Sequence, residues 1–532
     1  MAEAFITIPL AGFSIYIVCL ALYRLFLSPL SHFPGPALAA LTLWYEFYYD
    51  VILGGRYQYK IKELHKRYGP IVRISPYELH IDDPEFYDSL YVGASVRRTD
   101  KYTRSAHAFG NGLSAFGTVP HDLHRMRRGA LNPLFSKKAV MELIPQVIDP
   151  KIEKLCRRLI DMTGTGAVVN LVNTYEALTL DIIMEYAFGN SLDHLSHPEF
   201  YPDWHFVMRT GSAVFHLGAQ WPFIPKMLNG LPEWFIKISD RRMMVYAFVN
   251  NVCGFISFFG LYIISHLKLT APHLSQLLLD NLNHVRQQGS DFSKSAGHRG
   301  IFHSLLDWNL PPAETTNERL VQEATSLITA GSATTAMALS RITFELLSCT
   351  SKLETLCAEL QQAEISHRGR PSLQQLEQLP YLGGVINEGL RLTYGTPHRL
   401  MRISPDAAIQ YKSWTIPAGT PVGMSNMFMH DNADIFPSPR TFLPERWLGD
   451  QQERQALERY LVPFSRGSRR CVGMNLASVE ILLTLYALFR PGGSGRKMKL
   501  LETDIDDVEI KHDLFNAFPK ADSRGIRVLI ET

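Results

Sequence analysis

The segment Phe464-Ser465-Arg466-Gly467-Ser468-Arg469-Arg470-Cys471-Val472-Gly473 constrains this chain more than any other. It sets a cysteine in a glycine-rich turn, between three arginines and an apolar stretch that reads as a helix from about residue 473 to 489. A thiolate is costly unless cations or the positive end of a helix stabilise it; both flank Cys471, which predicts a lowered thiol pKa. Gly467 and Gly473 let the backbone come close to a large flat ligand without side-chain clash. The other five cysteines, Cys19, Cys156, Cys253, Cys349 and Cys357, have no paired spacing. They read as small hydrophobes in a reduced compartment, not as a disulfide framework.

Around that segment lies a chain of 532 residues, 46% hydrophobic, with 53 Lys+Arg against 51 Asp+Glu. The balance leaves no basic excess for gripping a phosphate backbone, so nucleic-acid binding is excluded as the main role. The apolar content suffices for a large core and excludes a disordered spacer. Residues 4–23 carry no Asp, Glu, Lys or Arg. That length spans a bilayer as a helix, and Arg24 after it places the remainder on the cytoplasmic side. No basic region precedes the run and no small-residue cleavage site follows, so it reads as an uncleaved anchor rather than a signal peptide. The expected organisation is an anchor over residues 1–27, a proline-rich link over 28–36, and one catalytic domain over 37–532.

A second run without Asp, Glu, Lys or Arg covers residues 243–267. Two spans would put the halves of one site on opposite sides of the membrane, so residues 243–275 read as a membrane-dipping segment or as a retained-intron insert. The latter is suggested by Val252-Cys253 and Lys268-Leu269-Thr270, which translated donor and branch-point sequences would encode.

Periodicity three and four apart predicts a helix over 317–347, apolar on most sides and therefore core-crossing, and a second over 381–392. Residues 71–75 alternate as a short strand, and 397–444 turn to Pro, Gly, Asn and short strands. The ten residues 464–473 match Phe-x-x-Gly-x-Arg-x-Cys-x-Gly at every fixed position: Phe464, Gly467, Arg469, Cys471 and Gly473. Upstream stand Glu388-Gly389-Leu390-Arg391 and Pro444-Glu445-Arg446-Trp447, and the long helix holds Ala330-Gly331-Ser332-Ala333-Thr334-Thr335. In this order the motifs resemble those of the cytochrome P-450 superfamily, the haem-thiolate monooxygenases. More narrowly, His32-Phe33-Pro34-Gly35-Pro36, residues 44–50 and residues 124–133 resemble fungal secondary-metabolism enzymes of the trichodiene oxygenase type.

The resemblance implies a mainly α fold with small β-sheets, a helical haem domain preceded by an N-terminal transmembrane helix. It implies haem b (iron protoporphyrin IX) held by Cys471 as axial iron ligand, with Phe464, Gly467 and Gly473 shaping the loop. His124, Arg128, Arg402 and Arg469 are the candidate partners of the haem propionates, and Glu388, Arg391 and Arg446 form a buried triad behind the haem-binding loop. Thr334 is the candidate catalytic residue, relaying protons through ordered water; its usual acidic neighbour is replaced by Ala333. On the helix bearing His124, Arg125 and Arg127 read as a solvated face, and a metal site from His121 and His124 lacks further ligands at zinc-like spacing. The chain carries no flavin or NADPH signature, so NADPH and flavins act through a separate cytochrome P-450 reductase, with cytochrome b5 as a second candidate donor. The implied reaction inserts one oxygen atom of O2 into a hydrophobic terpenoid, polyketide or alkaloid intermediate, by a monomeric enzyme in the endoplasmic reticulum membrane. A haem-thiolate isomerase or dehydratase and an inactive haem-binding chain are the alternatives.

Overall fold

The computed structural model describes residues 2–224, 274–287 and 300–532. The apolar run at 243–267 lies outside these residues. Helix α1 (Ala2–Leu22) continues into a widened turn over Tyr23–Leu27. The stretch Pro9–Leu27 has a mean hydropathy of 2.0 and none of it is buried against the protein, so it is long and apolar enough to cross a bilayer. Its end is tied to the body: Arg24 donates to Leu41 O (2.5 Å) and Tyr77 Oη (2.8 Å), and Arg73 donates to Arg24 O (2.8 Å). The link that follows is docked rather than free, with Leu30 and Phe33 buried and the Arg73 amide donating to Pro34 O at 2.7 Å.

Short strands form a mixed five-stranded sheet. Its members are β1 (Ile71–Arg73), β2 (Leu79–Ile81), β3 (Asp100–Lys101), β4 (Arg402–Ile403) and β5 (Pro421–Gly423), in the order β1-β2-β5-β4-β3. Only the β2–β5 pairing is parallel. The helical mass contains α2 (His121–Leu131), α3 (Leu171–Phe188), α4 (Asn317–Leu347), α5 (Pro380–Thr393) and α6 (Met474–Phe489). Helix α4 spans the range its periodicity predicts, opened by the Thr316 side chain, which accepts from the Arg319 amide. Being apolar on most sides, it runs through the centre, packed by α3, α5 and α6. Polar pins fix its register against α3: Tyr175 Oη lies 2.8 Å from Thr343 Oγ1, and Thr179 Oγ1 donates to Ser332 O at 2.8 Å. Against α5 the approach is so close that a Cβ on Gly389 would stand 2.1 Å from Ile342 Cγ1.

The i, i+3 spacing on α5 puts Glu388 and Arg391 on one face, and both are fully buried. Arg391 donates to Glu388 through Nε (2.9 Å) and Nη2 (2.7 Å), and Arg446 Nε donates to Glu388 Oε1 at 3.0 Å. Trp447 Nε1 and the Leu443 amide complete the set, each at 3.0 Å. Arg391 also donates to the carbonyls of His430, Pro439 and Thr441, so one carboxylate and one guanidinium gather the chain from 430 to 447 onto α5. Glu388, Arg391 and Arg446 thus form one hydrogen-bonded unit. His430, which no motif singled out, is fully buried beside it; burial first, and then the Arg391 charge, hold its ring down to about 3.

Three outcomes follow from this packing. Gly389→Ala should cost about 1–3 kcal/mol by overpacking, read as a lowered unfolding midpoint. Glu388→Gln keeps the shape but strips the buried cations of their counter-charge; a loss of about 3–5 kcal/mol in urea unfolding is expected. Because His430 has a folded pKa below the ordinary value of about 6.5, its stabilisation is whole above that pH and is lost as pH falls toward 3. Unfolding midpoints should therefore drop between pH 6.5 and 5, with a shallower slope in His430→Phe.

Candidate active site

The loop before α6 is built by two left-handed residues, Ser465 (φ 55°) and Gly467 (φ 73°), and closed where the Cys471 amide donates to Phe464 O at 2.9 Å. Gly467 is required twice over, by its φ and because a Cβ there would lie 2.4 Å from the carbonyl oxygens of Tyr91 and Val92. Its neighbour Ser468 donates its amide to Val92 O at 3.0 Å, and Arg466 reaches Asp88 at 2.6 Å. Phe464 is partly buried against the main core.

Cys471 ends up exposed to a cleft of about 440 Å³ while protein encloses it on its other sides. The cleft is also lined by His124, Arg128, Gly467 and Arg470, so it unites the cysteine loop with α2. A Cβ added to Gly473 would meet no protein atom within 4 Å, so this glycine keeps its own side of the loop open. The expected lowering of the Cys471 thiol pKa is corrected by the structure. Burial raises it and outweighs the Gly473 backbone hydrogen bond and the Arg128 and Arg470 charges that pull it down. A metal ion, which deprotonates a coordinating thiol, would reverse that balance.

The cations beside the cleft share one property. Arg128 Nε donates to Asn132 Oδ1 (2.7 Å), Arg402 Nη1 to Met401 O (3.0 Å), and Arg469 to Thr118 O (2.7 Å) and Val119 O (2.6 Å). Lys101, missed by the sequence reading, is buried and donates to Phe116 O at 2.8 Å. Among the described residues none of these four forms an ion pair with a carboxylate. Lys101 and Arg402 are moreover direct cross-strand partners on β3 and β4, where like charges repel. Burial and mutual repulsion show in their acidities: Arg469 is pushed down to about 9, Lys101 falls well below its ordinary value, and His124 is held down to about 2 by burial and then by Arg469, Arg128, Lys101 and Arg402. Such a cluster is short of anionic partners. A dianionic, flat, iron-bearing group fits it, since the cations would take the carboxylates and the cysteine the metal.

The remaining expectations divide. Arg127 is not on a solvated face: it is buried and bidentate to Glu314 (2.7 and 2.9 Å), because α2 packs its Arg127 side against the residues before α4. Arg125 is exposed. His121 accepts from the Thr99 amide at 3.1 Å, and no cluster of three metal-ligating side chains occurs among the described residues. Thr334 is exposed at the middle of α4 while Ala333 and Thr335 beside it are buried; its hydroxyl donates to Ala330 O at 2.8 Å. Thr334 is not among the residues that line the Cys471 cleft.

Comparison with known proteins agrees with this geometry. The cytochrome P450 family model matches residues 34–491. The chain is 43% identical to the cytochrome P450 monooxygenase MO6277 of Ascocoryne sarcoides, over 98% of each chain. It is 39% identical to the tryptophan 6-hydroxylase fscE of Fusarium equiseti, over 96% of this chain and 94% of that one. It is 40% identical to the N-acetyltryptophan 6-hydroxylase ivoC of Emericella nidulans, over 97% of this chain and 95% of that one. With its signature loop, buried triad and nearly full-length match, the chain belongs to the cytochrome P450 family.

Proposed function

We propose that this cytochrome P450 is a membrane-anchored haem-thiolate monooxygenase that hydroxylates a hydrophobic intermediate of secondary metabolism. The observation that carries the reading is Cys471 opening on a cleft beside cations that, among the described residues, form no ion pair with a carboxylate. Haem b bound there would supply the dioxygen chemistry, with Cys471 as the residue that would hold its iron through a thiolate. The protein's own part is positional and electrostatic. Gly467 and the Phe464–Cys471 hydrogen bond fix the sulfur that would hold the iron; Arg128, Lys101, Arg402 and Arg469 would neutralise the two propionates, and the neutral His124 ring would donate a hydrogen bond to one of them. Thr334 spends its hydroxyl proton on Ala330 O, which leaves the oxygen's lone pairs to hold an ordered water through which protons pass. Ala333 supplies no carboxylate for that task, so the proton passes along the water that Thr334 holds and comes from no side chain at position 333. Electrons come from a separate NADPH-dependent reductase, and α1 holds the catalytic domain at the cytoplasmic face of the endoplasmic reticulum.

The reduced carbon-monoxide difference spectrum tests the ligand: the wild type should show a thiolate-type Soret band and Cys471→Ser should lack it. A Cys471→Ser protein that kept the band would overturn the assignment. Thr334→Ala should lower product formation by about 10²-fold while NADPH consumption continues. Product formed without NADPH and reductase would instead mark an isomerase or dehydratase. The metabolites of a deletion strain, set against its parent, identify the substrate.

A further inference from the structure

His430 closes the short helix Asn426–His430 and is fully buried, with both ring nitrogens in use. Nδ1 lies 3.0 Å from Arg391 O, a carbonyl that can only accept, and Nε2 lies 2.9 Å from the Val462 amide, which can only donate. The ring is therefore the neutral tautomer with its proton on Nδ1. In return the His430 carbonyl accepts from Arg391 Nη1 at 2.9 Å, so histidine and triad arginine are joined twice. Val462 is where the cysteine loop begins: its carbonyl accepts from the Ser465 amide at 3.0 Å, and Phe464 O accepts from the Cys471 amide at 2.9 Å. The loop then passes through two left-handed residues, Ser465 and Gly467, and for the serine that conformation persists only where its surroundings over-determine it.

We infer that His430 is a positioning residue: by accepting the Val462 amide it fixes the start of the loop that presents Cys471, and so passes the rigidity of the Glu388–Arg391 unit to the ligating sulfur. This rests on Cys471 being the haem ligand. The two hydrogen bonds can be separated by side-chain length. Asparagine at 430 places its amide where Nδ1 stands and keeps the Arg391 bond; glutamine reaches the Nε2 position and keeps the Val462 bond. Each variant loses one buried hydrogen bond, so a purely structural role predicts equal effects.

The holoprotein is assayed by its reduced carbon-monoxide spectrum, by the rate of haem loss to a scavenger, and by melting temperature. His430→Asn should lose haem about 10-fold faster or more, the scale of supporting partners at metal sites, and convert from the thiolate-type to the thiol-type band. His430→Gln should keep the thiolate-type band at a similar melting temperature. Equal spectra and equal haem-loss rates for the two variants would overturn the inference, as would a Cys471→Ser protein that retains the thiolate-type band. Should neither variant fold, hydrogen exchange of the Val462 amide in the wild type decides: strong protection is expected, and exchange at the rate of an open loop would overturn it.

Discussion

The Glu388 carboxylate is the interaction on which the rest of this structure leans. It has no solvent contact, yet it accepts from two arginines, an indole and a backbone amide. A buried charge is tolerable only when paired and fully hydrogen-bonded, and satisfying this one requires groups from residue 388 to 447 to converge. The stretch from residue 431 to 443 has no helix or strand of its own, so its conformation is set by side-chain donors and acceptors rather than by helix or sheet ladders. Arg391 extends the effect by holding three carbonyls, and His430 carries it to the beginning of the cysteine loop.

Electrostatics at the cleft have the opposite character. Around Glu388 the two arginines and the carboxylate answer one another; around Cys471, among the described residues, several cations have no carboxylate in ion-pair contact. Lys101 opposite Arg402, with Arg469 and His124 close by, is an arrangement that costs stability in the protein alone. The raised Cys471 thiol belongs to the same pattern, since burial disfavours its charged form until a metal takes it. A ligand carrying two carboxylates and an iron would relieve both at once. Binding energy of that kind would add to the stability of the folded state by mass action.

Much of this was legible in the linear chain because it rests on short-range rules. The 3.6 period located α4, and α5 differs by one residue at each end from its predicted span. The i, i+3 relation of Glu388 and Arg391 is a property of any helix, and Gly467 and Gly473 are small wherever they lie. Lys101, His430 and Trp447 as partners of the site were not legible. Each acts on residues remote in sequence, as Lys101 does on Arg402, and nothing in the flanking residues encodes that pairing. Arg127 shows the converse: among three nearby arginines on one helix, only packing against Glu314 distinguishes the buried one.

The amino-acid sequence by itself determined the family, the helical core, the apolar N-terminal stretch and the cysteine that defines the site. All four are written in contiguous residues or fixed spacings. Tertiary structure alone decided how charge is distributed around that cysteine: which cations, among the described residues, stay without a carboxylate, which way the thiol pKa moves, and which buried ring joins the triad to the loop. Burial and electrostatic energy depend on distances across the folded chain, and those distances exist only once α2, α5, the β3–β4 pair and the cysteine loop have come together.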